Sequence, residues 1–220
     1  MEELQQIEPY LQKLNIKSLN EMQTAAIKSI SENDELILLS ATGSGKTLAF
    51  LLPILESINP EINLCQALIM VPSRELALQI DTVLKQMQTG YKITCCYGGH
   101  KREIEENNLV QPPAIIIGTA GRTADHIRRN NIDLSQIKFL VLDEFDKILE
   151  LGFLEEMEYI IKSLPSVQKR MLTSATYTEQ IPAFVKMNNP VTINYLPENT
   201  MAADVLRINT VLASDRKSVV

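Results

Sequence analysis

The sequence contains no tryptophan and has few cysteines and histidines. Its 220 residues include three cysteines and two histidines. Cys65, Cys95 and Cys96 form no CxxC pair, and the chain lacks the spacing of a zinc site. These shortages exclude a zinc-binding or disulfide-built module, and we expect reduced, mostly buried thiols.

Long apolar runs and an excess of positive charge are also missing. No run reaches the length of a membrane span, and the start Met1-Glu2-Glu3 lacks the basic residues of a secretory signal. We therefore expect a cytoplasmic protein that makes no membrane contact. Lys and Arg total 21 against 27 Asp and Glu, which gives a net charge of −6. This balance argues against a basic coat over the whole surface, but it leaves room for a local basic groove.

What the sequence does contain is an alternation of short apolar runs and helical segments. The length and the 45% hydrophobic content suit one large domain. Several runs are continuously apolar, as in strands that are buried on both faces of a parallel sheet. The alternation predicts an α/β fold with three αβα layers, a mainly parallel central sheet and right-handed crossovers. The predicted strands are 35–40, 66–71, 93–97, 114–118, 139–142 and 171–174, and predicted helices include 21–31, 46–58, 74–88 and 101–108.

One glycine-rich segment lies between a predicted strand and a predicted helix, as a phosphate-binding P-loop does. Glycines allow a tight turn whose N–H groups converge on phosphate oxygens, and the helix N-terminus adds its positive dipole end. Lys46 would reach the β- and γ-phosphates, and Thr47 would place its hydroxyl on Mg²⁺. The alternative is a Gly-Ser turn followed by a surface lysine. The candidate nucleotide-binding residues are Ser40, Ala41, Thr42, Gly43, Ser44, Gly45, Lys46 and Thr47, with Ser40 in place of the usual first glycine.

A pair of acids follows the apolar strand at 139–142. Ligands of an open parallel sheet bind at the carboxyl ends of its strands. Asp143 would hold Mg²⁺ through water, and Glu144 would orient or deprotonate the attacking water. We assign catalytic roles to Lys46, Asp143 and Glu144. The alternative is that both acids cap the next helix.

Together with motifs along nearly the whole chain, these residues make the sequence similar to the DEAD-box ATP-dependent RNA helicases. The acidic motif is Asp143-Glu144-Phe145-Asp146, and Ser174-Ala175-Thr176 matches the SAT motif. Segments 72–77 (PSRELA), 98–99 (GG) and 119–122 (TAGR) resemble the family's PTRELA, GG and TPGR motifs, and Gln23 lies at the place of the adenine-reading glutamine. The resemblance implies an N-terminal RecA-like P-loop NTPase domain that uses ATP and Mg²⁺ and binds RNA through its backbone.

The resemblance also implies roles for individual residues. Gln23 would hydrogen-bond the adenine edge, although Asn20 and Gln23 also have the spacing of a helix capping box. Thr176 and Ser174 would hydrogen-bond Asp146 and couple the nucleotide site to domain closure, unless they only form a turn at a strand end. Arg74 and Arg122 could instead be ordinary ion-pair partners. The implied RNA-binding residues are Pro72, Arg74, Gly98, Gly99, Thr119, Gly121 and Arg122, and the basic side chains of His100, Lys101, Arg102, Arg128 and Arg129 lie nearby.

The family pattern further implies a division of the chain and a missing partner domain. We expect a helical segment at 1–30, an ATP-binding domain at 31–198, and a linker with the start of a second RecA-like domain at 199–220. Segment 205–212 is predicted to be a strand, and Ser214-Asp215 would cap a helix. We expect a monomer that hydrolyses almost no ATP without the second domain, which supplies the arginine fingers in this family.

The sequence departs from the family pattern at three places, and two of them, Phe145 and the segment before Gln23, keep another function open. Phe145 replaces an alanine, Ala120 replaces a proline, and the segment before Gln23 lacks the glycine and prolines that are usual in the family. The expected function is RNA-stimulated ATP hydrolysis with unwinding of short duplexes. The main alternative is a nucleotide-gated RNA clamp that does not unwind productively. A small-molecule P-loop kinase and a DNA helicase are further alternatives.

Overall fold

The computed structural model describes residues 2–177 and 181–197. The predicted segments 199–220, including the strand at 205–212, lie outside the described residues. The helices are α1 (Glu2–Lys13), α2 (Glu21–Glu32), α3 (Lys46–Ser57), α4 (Arg74–Met87), α5 (Arg102–Leu109), α6 (Ala120–Arg128), α7 (Phe145–Glu150) and α8 (Leu154–Lys162), and a short 3₁₀ helix spans Ala183–Val185. The strands are β1 (Glu35–Ser40), β2 (Ala67–Val71), β3 (Ile93–Cys96), β4 (Ile115–Thr119), β5 (Phe139–Leu142), β6 (Lys169–Ser174) and β7 (Val191–Tyr195).

The strands form one sheet in the order β3-β4-β2-β5-β6-β1-β7. Every neighbouring pair in it is parallel. The prediction of a parallel sheet is therefore confirmed, and the six predicted strands agree with β1 to β6 to within two residues at each end. Strands β2, β5 and the core of β4 are apolar throughout because both of their faces are covered by helices.

The seventh strand was not predicted from the sequence. Strand β7 pairs with β1, with Leu38 opposite Ile193, and it forms one edge of the sheet. Four of its five residues are exposed, so it lacks the apolar run that identifies the buried strands.

Two hydrophobic cores lie on opposite faces of the sheet. One face packs against α1 to α4, through residues such as Ile7, Ala26 and Phe50. The other face packs against α5 to α8, through residues such as Leu109 and Ile160. Successive strand residues point to opposite cores, as Ile69 and Met70 of β2 do. The predicted three-layer αβα architecture is confirmed.

The first two helices pack on the same core as α3 and α4. Ile7 of α1 and Ile30 of α2 are at most 1% exposed. Residues 2–32 thus belong to the same packed body as the sheet. Within the part of the chain that the structure describes, no helix combines the length and the apolar character that crossing a bilayer requires.

Candidate functional site

The strand order separates the predicted site residues into two neighbouring groups at the carboxyl edge of the sheet. Strands β5, β6 and β1 lie side by side, and the predicted nucleotide and coupling residues follow them. Strands β3, β4 and β2 form the adjoining part of the sheet, and the predicted RNA-binding residues follow those. We call these the nucleotide half and the RNA half of the edge.

The loop between β1 and α3 has the backbone of a tight glycine turn. Gly43 and Gly45 have φ values of +82° and +91°, in the left-handed region that favours glycine. Gly45 is the N-cap of α3 and, as a glycine, has no side chain with which to cap the helix. The Ser40 and Ser44 hydroxyls are 2.6 Å apart and hold the two sides of the loop together.

The Lys46 side chain is buried beneath this loop. Its ammonium group donates to the carbonyl oxygens of Ser40, at 2.7 Å, and Ala41, at 2.9 Å. Burial lowers the pKa of Lys46, and the carboxylates of Asp143 and Glu144 act in the opposite direction. Lys46 is therefore not a surface lysine, and its ammonium group lies within the nucleotide half.

The start of α2 is attached to the same loop by two side-chain amides. Asn20 and Gln23 form the reciprocal capping box that their spacing predicted. The Asn20 amide also donates to the Ser44 carbonyl at 3.1 Å, and the Gln23 amide donates to the Gly45 carbonyl at 3.0 Å. Gln23 thus lies against the glycine turn, and adenine contact by Gln23 stays a prediction.

Asp143 is a buried carboxylate at the end of β5. It is 3% exposed, and burial raises its pKa to about 6, against the opposing effect of a hydrogen bond from Thr173. The Thr173 hydroxyl donates to Asp143 Oδ1 at 2.5 Å and accepts the Glu144 N–H at 3.0 Å. Thr173 was missed in the sequence analysis; its only signal is a hydroxyl that directly follows the apolar pair Met171 and Leu172 in β6.

Glu144 has a conformation that is rare for a non-glycine residue. Its φ is +49°, in the left-handed region. It occupies the N-cap position of α7, but its side chain makes no capping hydrogen bond. The carboxylate instead contacts the Lys147 ammonium at 2.8 Å. A purely capping role for Glu144 therefore finds no support.

The SAT segment meets the acidic motif through one hydroxyl rather than two. The Thr176 hydroxyl donates to Asp146 Oδ2 at 3.0 Å. The prediction of a hydrogen bond between Ser174 and Asp146 is wrong, because Ser174 Oγ is hydrogen-bonded to the backbone of its own turn instead. It donates to the Thr176 carbonyl at 2.7 Å and accepts the Thr176 N–H at 3.1 Å.

Phe145 lies in the core between these contacts. It is 1% exposed and packs in the core between the sheet and helices α5 to α8. The neighbouring Asp146 keeps its hydrogen bond from Thr176. The ring therefore fits this fold without breaking the link between the acidic and SAT segments.

In the RNA half, the loops after β2 and β3 contact each other. The Arg74 guanidinium lies 5.2 Å from the centre of the Tyr97 ring, in a cation–π contact. Gly99 has φ +93°, which favours glycine, and an added Cβ would lie 3.4 Å from the Arg74 guanidinium, at contact distance. Gly98 and Gly99 are exposed, whereas Pro72 is buried, so Pro72 offers no exposed side chain to a ligand.

The loop after β4 leads directly into α6. Gly121 is exposed, and Thr119 is the N-cap residue of α6 without making a side-chain cap. Arg122 is turned inward, and it donates to Glu105 at 2.8 Å and to the His100 carbonyl at 3.2 Å. Glu105 and His126, which complete this contact network, were not among the residues predicted from the sequence.

The other basic side chains near this half are mostly held by local partners. Arg102 and Arg129 contact the same carboxylate of Asp125, at 3.7 and 2.9 Å. Arg128 lies 4.7 Å from the centre of the Tyr159 ring. These contacts favour the interpretation of these arginines as helix-surface residues.

Comparison with known proteins identifies the family. The family model described as DEAD/DEAH box helicase matches residues 20–184, which is most of the chain. This chain belongs to the DEAD/DEAH box helicase family, and it corresponds to the N-terminal RecA-like domain of such helicases. The ATP-dependent RNA helicases DeaD of Haemophilus influenzae and Escherichia coli K12 are each 36% identical to it, over 198 and 179 residues. These matches cover 87% and 79% of this chain but 32% and 28% of the two relatives, so the chain spans about a third of their length.

Solved structures show the same fold. A DEAD box protein from Methanococcus jannaschii matches with 31% identity and a TM-score of 0.72, over 79% of this chain and 48% of that one. A hypothetical ATP-dependent RNA helicase from Sulfolobus tokodaii matches with 28% identity and a TM-score of 0.76, over 86% of this chain and 56% of that one.

Proposed function

We propose that this chain is the ATP-binding part of an RNA-stimulated ATPase that unwinds short RNA duplexes together with a second RecA-like domain. The observation that carries the proposal is the placement of three charged side chains in the nucleotide half, near enough for Asp143 and Glu144 to act on the pKa of Lys46. Lys46 is buried under the glycine turn, Asp143 is buried at the end of β5, and Glu144 follows it with its carboxylate partly exposed. A turn of N–H groups, a cation and two carboxylates are what ATP hydrolysis requires of a protein.

The chain's own residues have separate tasks at this site. Lys46 exchanges its two carbonyl acceptors for phosphate oxygens when ATP binds, and that charge contact offsets the cost of its burial. Glu144 holds the attacking water and accepts its proton. Gln23, already fixed against Gly45, presents its amide to the adenine edge.

The donor set near Asp143 fits Mg²⁺. Thr47 offers a hydroxyl and Asp143 a carboxylate, both oxygen ligands of the kind that Mg²⁺ takes. Burial and the neighbouring Glu144 charge both disfavour the ionised form of Asp143, and a bound cation would stabilise that form. Held by these two residues, Mg²⁺ would supply positive charge that offsets the negative charge of the phosphates during hydrolysis. Thr173 keeps Asp143 oriented by its hydrogen bond to Oδ1.

The RNA half supplies backbone contacts rather than base contacts. Gly98, Gly99 and Gly121 are exposed and have no side chain to hinder a phosphate group. Arg74 is exposed and adds a positive charge beside them. Contacts of this kind follow the strand with little dependence on its sequence.

The geometry of Phe145 does not support the alternative of an RNA clamp that does not unwind. One of its two grounds, beside the unusual segment before Gln23, was that a ring at position 145 disturbs the coupling of Asp146, but Thr176 contacts Asp146 beside the buried ring. We therefore prefer ATP-driven unwinding.

The test is ATP turnover by the full-length protein with and without single-stranded RNA, for the wild type, Glu144→Gln and Lys147→Gln. We expect RNA to stimulate turnover, and Glu144→Gln to lower it about 10²- to 10⁴-fold, as loss of a general base does. Lys147→Gln removes the same ion pair but leaves Glu144 in place, so it should retain most of the activity.

Other outcomes would change the assignment. Nucleotide and RNA binding without turnover or strand displacement would support the clamp. Stimulation by single-stranded DNA equal to that by RNA of the same sequence would favour a DNA helicase. An equal loss of turnover in the two variants would assign the effect to the ion pair rather than to catalysis by Glu144.

A further inference from the structure

A single buried carboxylate connects the loops of the RNA half. Glu105 of α5 is 1% exposed, and its two oxygens have four polar partners. Oε1 accepts from the Tyr97 N–H at 2.9 Å and contacts His100 Nε2 at 3.0 Å. Oε2 accepts from Arg122 at 2.8 Å and contacts His126 Nε2 at 2.7 Å. The chain has two histidines in all, and both of them contact this carboxylate.

The placement of Glu105 runs against the hydrophobic pattern of its helix. Ile104 is 53% exposed, whereas the neighbouring Glu105 is buried. Burying a carboxylate is unfavourable unless hydrogen bonds and charges compensate it. Here burial acts to raise the pKa of Glu105, but the hydrogen bonds from His126, the Tyr97 N–H and Arg122 outweigh it and hold the pKa below its ordinary value. Glu105 is therefore a fully paired carboxylate, and it determines which face of α5 points inward.

The same cluster has the composition of a metal site, but its protons are arranged for hydrogen bonding. Cys96, Glu105 and His126 bring ligand atoms within 4.8 Å of one another. The Asn131 amide donates to His126 Nδ1 at 3.0 Å, so the other ring nitrogen carries the proton and donates to Glu105. The Arg122 cation occupies the adjacent position on the carboxylate, and burial raises the pKa of the Cys96 thiol well above its ordinary value. These features favour a hydrogen-bonded carboxylate over a bound cation.

We propose that Glu105 is a positioning residue for RNA binding, which fixes the Gly98-Gly99 loop relative to the first turn of α6. One oxygen holds the loop through Tyr97 and His100, and the other holds α6 through Arg122 and His126. The Arg122 guanidinium also donates to the His100 carbonyl and closes the contact between the two segments. The inference rests on the proposed binding of RNA to this half of the edge.

Replacement by glutamine distinguishes positioning from simple electrostatics. A glutamine has nearly the same volume, but its NH₂ group faces at least one donor wherever it is placed: the Tyr97 N–H on one side, or Arg122 and His126 on the other. If Glu105 acts only as a negative charge near the RNA, its neutralisation should leave RNA binding unchanged or make it tighter. If Glu105 positions the two loops, RNA binding should become weaker although a negative charge has been removed.

The experiment measures binding of a fluorescein-labelled, single-stranded oligouridine RNA by anisotropy over a range of salt concentrations, in the full-length protein. We expect Glu105→Gln to weaken binding about tenfold and to reduce the slope of log K against log salt, because a phosphate contact is lost. Affinity for a fluorescent ADP analogue reports on the nucleotide half and should be unchanged. Glu103→Gln removes the same charge from an exposed position of the same helix, so RNA binding should equal or slightly exceed that of the wild type.

Each outcome has a distinct meaning. A wild-type protein that does not bind RNA would overturn the proposed function itself. A wild type that binds RNA, with Glu105→Gln binding equally well or more tightly, would overturn the positioning role and leave the proposed function intact. If Glu105→Gln also loses nucleotide binding, His100→Phe is the deciding variant, because it keeps a ring beside Tyr97 and removes the ring nitrogen that contacts Glu105. Weaker RNA binding by His100→Phe at full nucleotide affinity supports positioning, and unchanged RNA binding overturns it.

Discussion

At the scale of single residues, Asp143 shows a conflict between function and stability. A carboxylate that is 3% exposed is poorly solvated, and the Thr173 hydroxyl compensates only part of that cost. Its pKa of about 6 lies above the ordinary value of 3.8, so the folded state disfavours the charged form. The proposed metal-binding role, in contrast, requires the charged form.

We predict that Asp143→Asn stabilises the fold at neutral pH. Because the folded-state pKa is raised, the penalty is absent below pH 3.8, grows as the pH rises towards 6, and is complete above that value. The gain in the free energy of unfolding should be up to about 3 kcal/mol at pH 7.5 and should shrink towards pH 4. Urea unfolding at both pH values, with a chelator present, measures it.

A control with the opposite sign is available in the same chain. A hydrogen bond from Ser135 holds the pKa of the exposed Asp133 below its ordinary value. Asp133→Asn should therefore not stabilise the protein. A pH-independent difference between Asp143→Asn and the wild type would contradict the burial argument.

At the scale of elements, α2 and the loop before α3 behave as one unit. Asn20 and Gln23 donate to successive carbonyls of the glycine turn, and an added Cβ at Gly45 would lie 2.6 Å from the Gln23 amide nitrogen. The residue proposed to recognise adenine is thus placed by the loop proposed to bind phosphate.

We predict that Gly45→Ala lowers nucleotide affinity by at least about tenfold. An alanine at φ +91° costs on the order of 1 kcal/mol of backbone strain and would also displace Gln23. Gly90→Ala is the matched control. Gly90 also has a positive φ, +79°, but an added Cβ would have no neighbour within 4 Å. It precedes β3 and so lies at the amino ends of the strands, away from the carboxyl edge. Calorimetric titration with ADP and Mg²⁺ compares the two. Wild-type affinity in Gly45→Ala would mean that the contact with Gln23 is not needed for binding.

At the scale of the whole molecule, this chain accounts for about a third of the curated relatives it matches. The two halves of the carboxyl edge place the proposed ATP and RNA sites side by side on one sheet. We infer that a second RecA-like domain completes both sites by closing over this edge.

We predict that the 220 residues alone bind ADP or ATP with Mg²⁺ weakly and hydrolyse very little. An arginine finger from a second domain is worth about 10³ to 10⁵ in rate for related phosphoryl transfers. Nucleotide binding should be measurable by calorimetry and lost in Lys46→Ala, while turnover with single-stranded RNA stays near background. Fast RNA-stimulated turnover by these residues would show that no second domain is needed for hydrolysis.

The sequence by itself determined the layer architecture, six of the strands, the glycine turn and the acids after β5. These features depend on local properties, such as continuous apolar runs, the backbone freedom of glycine and a lysine at a strand-to-helix junction. The Asn20–Gln23 capping box was equally predictable, because its spacing brings the partners together within a single helical turn.

Only the tertiary structure decided which distant residues meet. Thr173 is 30 positions from Asp143, and the pairing of β5 with β6 brings them together. The choice of Thr176 over Ser174 as the partner of Asp146 depends on the direction of one turn. Glu105 is buried and Ile104 exposed because partners from the β3 loop and from α6 compensate the buried charge. Such compensation comes from residues far apart in the chain, and no local pattern around Glu105 reveals it.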